Sequence, residues 1–265
     1  MKVIALVFAL SFCAEVNAQL SKVADLNIKD VTRCSVDRLG NFYFISAEGI
    51  LKKYDPDGQL LSQTAKSISP LTLLEPWNPL KVFIYDKSSK KYTYLDHNLE
   101  VLEVTTLEPS LSISPVLFCP ANEANKGWIL DEADFTLKRV NLSTKEIEFE
   151  TALPEEWVVD PDFVFMREYQ NMVFLLDKTA GIHILNNLGK PIRTIDVKGL
   201  TFFNFMGEEL SYRKGTDVVL FDLYTAETRK IADISKFKNV INTVITDERL
   251  AVLTQEKIEI LKLSK

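Results

Sequence analysis

Residues able to do chemistry are few in this chain. His97 and His183 are the only two histidines. His183 sits inside an apolar run between Ile182 and Ile184, and His97 sits in the polar turn Asp96-His97-Asn98, so neither is placed as a catalytic base. Three acids recur at equivalent places: Asp86 in Asp86-Lys87-Ser88, Asp131 in Asp131-Glu132-Ala133-Asp134, and Asp177 in Asp177-Lys178-Thr179. Carboxylates converging on one opening would suit calcium or a cationic ligand, since hard cations take oxygen ligands. The simpler expectation is that each Asp caps its own turn. Trp157 lies in the acidic stretch Glu155-Glu156-Trp157-Val158-Val159-Asp160-Pro161-Asp162, and Trp77 lies in Glu75-Pro76-Trp77-Asn78-Pro79. Exposed aromatics carry much of the energy of interfaces. Trp157, Asp160, Asp162, Asp86, Asp131, Asp177 and Trp77 are therefore the candidate partner-contact residues, with Trp157 alternatively filling a wedge between packed sheets.

No catalytic residue and no cofactor is assigned. The chain has no GxSxG elbow, no HExxH, no GxGxxG, no phosphate-binding GK[ST] loop and no CxxC pair. Asp55-Pro56-Asp57-Gly58 has the start of a calcium loop but lacks its closing glutamate, and a tight turn explains it. A formal charge of −6 gives no gain from counterion release, so nucleic acid is not expected as a ligand. The run Glu146-Ile147-Glu148-Phe149-Glu150 alternates like an outer strand with one solvated side.

The first residues have the layout of a secretory leader: Lys2, an apolar run from Val3 to Phe12, and Val16-Asn17-Ala18 as a small-residue cleavage site. Residues 1–18 are expected to be removed, leaving a single domain over residues 19–265. The apolar run is shorter than the roughly 20 residues that span a bilayer, and no later segment approaches that length. Cys13 follows the run as a lipidated cysteine would, but the bulky Phe12 argues against it. Cys34 and Cys119 then remain, both on expected innermost strands of separate repeats, and are read as buried free thiols.

The elements that position these residues are repeated. A strand followed by a polar turn recurs with Asp55, Asp96, Asn141, Asn186 and Asp222 as its turn residues, spaced by 41, 45, 45 and 36. Asp and Asn cap such turns through their own side chains. Upstream of each lies a run rich in Val, Ile, Phe and Tyr, such as Phe42–Ser46, Val82–Asp86 and Met172–Asp177. Farther upstream lies another, such as Pro115–Cys119 or Ile241–Ile245. Periods of about 40 to 45 residues are those of four-stranded propeller blades. The sixth unit stops after its third strand at Lys257–Leu263, while the chain begins with an orphan strand over Lys22–Ile28. That segment is similar to Arg229–Ser235, a fourth strand, so it is expected to complete the last blade and bury its edge. The fold class is all-β, a six-bladed β-propeller closed by its N-terminal strand.

Two phrases, Val36-Asp37-Arg38-Leu39-Gly40-Asn41-Phe42-Tyr43-Phe44 and Leu51-Lys52-Lys53-Tyr54-Asp55-Pro56-Asp57-Gly58-Gln59-Leu60, resemble the repeats of six-bladed propellers of the NHL and TolB type. Blades three and five depart from that pattern by losing the turn glycine. The resemblance implies that ligands enter on the face carrying the strand 2–3 and blade-to-blade connections. It also brings in an enzyme alternative, a lactonase-like hydrolase or lyase with a metal at the central mouth. The expectation from the missing motifs is a non-enzymatic exported module that binds a protein partner in an envelope complex. Its address would be the periplasm or cell surface of a Gram-negative bacterium. A periplasmic small-ligand sensor is the other alternative, and the sequon Asn141-Leu142-Ser143 points to eukaryotic secretion as another origin.

Overall fold

The structure is a computed structural model that describes residues 20–68 and 73–263; the expected leader over residues 1–18 lies outside them. The chain opens with β1 (Leu20–Leu26). Blade one then holds β2 (Val31–Val36), β3 (Phe42–Ser46), β4 (Leu51–Tyr54) and β5 (Leu60–Gln63). Blade two holds β6 (Leu73–Glu75), β7 (Val82–Asp86), β8 (Lys91–Leu95) and β9 (Val101–Thr106). Blade three holds β10 (Pro115–Pro120), β11 (Lys126–Asp131), β12 (Thr136–Asn141) and β13 (Glu146–Ala152). A short 3-10 turn over Glu155–Trp157 leads to blade four, with β14 (Phe163–Tyr169), β15 (Met172–Asp177), β16 (Gly181–Asn186) and β17 (Pro191–Ile195). Blade five holds β18 (Asn204–Met206), β19 (Glu209–Lys214), β20 (Asp217–Asp222) and β21 (Thr228–Asp233). Blade six holds β22 (Val240–Ile245), β23 (Arg249–Thr254) and β24 (Ile258–Leu263), and takes β1 as its fourth strand.

Every sheet is antiparallel and four-stranded, and the six form a β-propeller. β1 pairs with β24 from Leu20 opposite Leu263 to Leu26 opposite Ile258, so the expected ring closure is present. Strand position explains residue choice. Second strands lie between neighbouring blades and are buried on both faces, so β15 reads Met-Val-Phe-Leu-Leu-Asp with no alternation. Fourth strands lie on the rim, so β13 reads Glu-Ile-Glu-Phe-Glu-Thr-Ala and is mostly exposed. Aromatic rings fill the wedges between blades: Phe118 of blade three meets Phe83 of blade two edge-on at 5.2 Å.

The recurring turn has one geometry in two lengths. Asp55 accepts at Oδ1 from the backbone N–H of Asp57 and Gln59, and its carbonyl accepts from Gly58, three residues on. Asp96 and Asn186 do the same. In blades three and five the carbonyls of Asn141 and Asp222 instead accept from Lys145 and Ala226, four residues on. Lys145 (φ 61°) and Ala226 (φ 62°) take the left-handed position one residue later, and Leu99 (φ 66°) takes it in the shorter turn of blade two, so non-glycine residues hold that backbone in three of the blades.

Candidate functional site

Three openings gather around the axis of the ring. The connections between strands 1 and 2, and between strands 3 and 4, lie on one side, here the lower face; the strand 2–3 and blade-to-blade connections lie on the upper face. A cavity of 410 Å³ opens among Arg38, Leu39, Trp77, Phe205, Asp247 and Arg249, and one of 310 Å³ among Glu75, Trp77, Asn78, Lys81, Asn122 and Arg167. Both are built from strand 1–2 connections and share Trp77. On the upper side the first strands leave only about 40 Å³, among residues including Arg33, Phe165 and Phe202. The roomy mouth is therefore on the face opposite the one expected for ligand entry, because the first strands and their aromatics close the channel above it.

β14 builds the axis. Phe165, Arg167 and Tyr169 alternate along it and so share one face of the strand. The Phe165 ring meets Phe202 at 5.2 Å, and Tyr169 stacks flat on Phe205 at 4.0 Å. Arg167 is 2 % exposed. Its Nε donates to Glu75 of blade two and its Nη2 to Ser35 of blade one at 3.2 Å. Its Nη1 has no hydrogen-bond partner among the described residues. Trp77 meets Tyr169 edge-on at 5.6 Å, and Arg167 lies 6.0 Å from the Trp77 ring. On the other side of β14, Glu168 accepts from Trp128 Nε1 at 2.6 Å and from the backbone N–H of Asn122 at 3.3 Å.

The expected site residues fall into separate places. Trp77 lines both lower cavities. Trp157 is not the exposed anchor its acidic surroundings suggested: it is 9 % exposed and stacks on His183 at 4.0 Å, filling the wedge beside blade four. Asp160 is exposed and takes φ 56° as the chain leaves that turn, while Asp162 is exposed and pairs with Lys178 at 3.1 Å. Asp86 accepts from Ser88 and Ser89 in its own turn and borders a groove at the rim. Asp177 is buried and accepts from the N–H groups of Asp162 and Thr179. Asp131 is fully buried, pairs with Lys138 at 2.8 Å and accepts from the N–H groups of Ile113, Ser114 and Ala133. Burial alone would raise its pKa, but Lys138, Ser112 and the backbone donors outweigh that and hold it well below the usual carboxylate range. Asp86, Asp131 and Asp177 thus each bind their own neighbourhood. Among the described residues no group of three or more His, Cys, Asp or Glu is arranged to hold a metal ion.

Other titratable groups, His183, Cys34 and Cys119, lie away from the two lower cavities, although Cys34 borders the 40 Å³ opening above. His183 donates or accepts at Nδ1 with Thr194 Oγ1 at 2.9 Å, and burial lowers its pKa to about 4. Cys34 and Cys119 are buried free thiols. Burial pushes Cys34 up to about 12, and burial beside Glu75 and Glu168 pushes Cys119 well above its ordinary value. Arg167 and Glu75 were not candidates in the sequence. A lone arginine after the apolar run Phe163–Met166 was the available signal, since charge inside an innermost strand needs a partner.

The rim carries a fourth opening, a 620 Å³ groove between blades one and two lined by Ile68, Ile84, Asp86, Leu95, Val101 and Val104.

No protein-family profile and no curated protein matches this chain. Solved structures do. A streptogramin B lyase is similar with a TM-score of 0.59 and 13 % identity, over 94 % of this chain and 98 % of that one. Virginiamycin B lyase from Staphylococcus aureus is similar at 0.55 and 12 %, over 94 % and 99 %. BamB from Moraxella catarrhalis is similar at 0.46 and 11 %, over 93 % and 94 %. At these identities the likeness is one of fold, the β-propeller already seen in the sheets.

Proposed function

We propose that this chain is a non-enzymatic protein-interaction module, exported by its leader and acting as one subunit of an assembly in the bacterial cell envelope. The observation that carries the reading is the outer edge of β9. Among the described residues only β8 pairs with it, so its other edge offers backbone groups that no described strand takes up. Along that edge Val101, Leu102 and Val104 are 64 %, 58 % and 56 % exposed. Natural sheets guard such edges with charge or proline. Four rim strands follow that rule with two or more such residues: β13 carries Glu146, Glu148 and Glu150, β17 carries Pro191 and Arg193, β21 carries Arg229 and Lys230, and β1 carries Lys22 and Asp25. β9 carries a single charge, Glu103, among its apolar residues, and β5, the rim strand of the adjacent blade, reads Leu-Leu-Ser-Gln with none. These two mainly apolar edges flank the 620 Å³ groove, and the occupant that suits them is an extended apolar segment of a partner protein. Such a segment would add to the edge through main-chain hydrogen bonds and place alternate side chains in the groove.

The test is co-isolation. Gentle detergent extraction of native envelopes, followed by crosslinking, is expected to recover the protein in a larger complex. Leu102→Lys together with Val104→Lys should release it while leaving its thermal unfolding unchanged. A monomer in the native extract, or an intact complex with the double variant, overturns the reading.

A further inference from the structure

We propose that the lower mouth of the ring binds a neutral, hydroxyl-rich ligand, a saccharide, laid against Trp77 and hydrogen-bonded to the guanidinium of Arg167. This site opens on the lower face and does not rest on the interaction reading.

The first argument is an unmatched donor. Two nitrogens of Arg167 are occupied by Glu75 and Ser35, and the third, Nη1, has no acceptor among the described residues although the side chain is buried. A buried donor without an acceptor is costly, so an acceptor that reaches Nη1 gains a hydrogen bond. Arg167 forms part of the wall of the 310 Å³ cavity.

The second argument is charge. Lys81, Lys126 and Arg167 on that wall are balanced by Glu75, Glu123 and Glu168, and within the six Arg167 pairs with Glu75 and Lys126 with Glu123. The cavity therefore selects neither an anion nor a cation. Its polar groups are instead mixed: the amides of Asn78 and Asn122 offer both donors and acceptors, as a ring of hydroxyls requires.

The third argument is the aromatic wall. Trp77 is half-buried, and Tyr169, itself stacked on Phe205, holds it edge-on. Because Trp77 also borders the 410 Å³ cavity, a ligand lying along it reaches both. Each cavity falls at the small end of the range of about 300 to 1,000 Å³ for ligand sites, which suits a ligand of two or three small rings rather than a large one.

Chitotriose and cellotriose serve as neutral probes, trigalacturonate as an anionic control and the deacetylated chitosan trimer as a cationic one, all titrated by calorimetry against the full chain. Saturable binding of a neutral probe is expected, with neither charged trimer binding more tightly. Trp77→Ala should abolish it. Arg167→Lys, which keeps the charge opposite Glu75 but withdraws Nη1, should weaken it about tenfold. Should that variant fail to fold, Asn122→Ala on the exposed loop is expected to weaken binding with the fold intact. The β9 lysine variants should bind the sugar as the parent does, which separates this site from the rim. No neutral probe bound at about 10 mM, preference for a charged trimer, or binding indifferent to Trp77→Ala each overturns the proposal.

Discussion

Arg167, in the first strand of blade four, pairs with Glu75, in the first strand of blade two, so this ion pair spans the axis of the ring and not a seam between adjacent blades. Ser35 of blade one takes another nitrogen of the same guanidinium. One side chain thus ties three blades together in the channel.

Breaking that pair from one side should be expensive. Arg167→Met leaves Glu75 buried and uncompensated, and a loss of about 3 to 5 kcal/mol is expected in urea unfolding. Glu75→Leu alone should cost a similar amount. The double variant should be more stable than either single one, because no unpaired charge then remains. Additive losses in this cycle would show that the two residues act separately.

His183 should give the fold a pH dependence of definite sign. Its folded pKa, about 4, lies below the unfolded value of about 6.5, because burial disfavours the imidazolium. Between those values the unfolded chain binds more protons, so stability falls as pH falls. The penalty is absent above pH ~6.5 and complete near pH ~4, where it reaches about 3 kcal/mol. Asp177 and Glu156, the nearby acids, act in the opposite direction. Urea midpoints measured from pH 7 to 4 should fall for the parent, and the fall should be shallower by about that amount in His183→Phe.

Both thiols should be silent in the native state. Cys34 and Cys119 are buried, and burial holds each in its neutral, unreactive form. For protein produced without residues 1–18, and so without Cys13, Ellman's reagent is expected to report no free thiol in the folded state and two per chain in guanidinium. Rapid native labelling of either would contradict the packing described for β2 and β10.

Ring closure should depend on β1 and on the turn that rests against it. Gly58 has φ 84°, and a Cβ there would lie 2.7 Å from Ala24 of β1. Gly58→Val is therefore expected to destabilise the fold by more than 1 kcal/mol, roughly, through both backbone strain and displacement of the closing strand. Deleting residues 20–26 should expose the edge of β24 and cause association of the protein, seen by light scattering, with a synthetic peptide of that segment restoring the monomer. A deletion variant that stays monomeric and unfolds at the parent temperature would refute the closing role.

The blade period, the Asp or Asn at each turn, the orphan first strand and the continuous apolar second strands were legible in the residues alone. They are local or periodic properties: a side chain that caps its own turn, such as Asp55, needs no distant partner, and an apolar run announces burial wherever it folds. The missing glycine in blades three and five was visible as a lapse, but that their turns are one residue longer around Asn141 and Asp222 needed the hydrogen bonds. Only the tertiary structure decided which face holds the cavities, that Trp157 lies on His183, and that Arg167 meets Glu75. Those outcomes depend on residues far apart in the chain, Ser35 and Arg167 alone being 132 positions apart, brought to one axis by the closing of the ring. No local pattern encodes which side of a strand will face that axis, because the choice follows from how six sheets pack together.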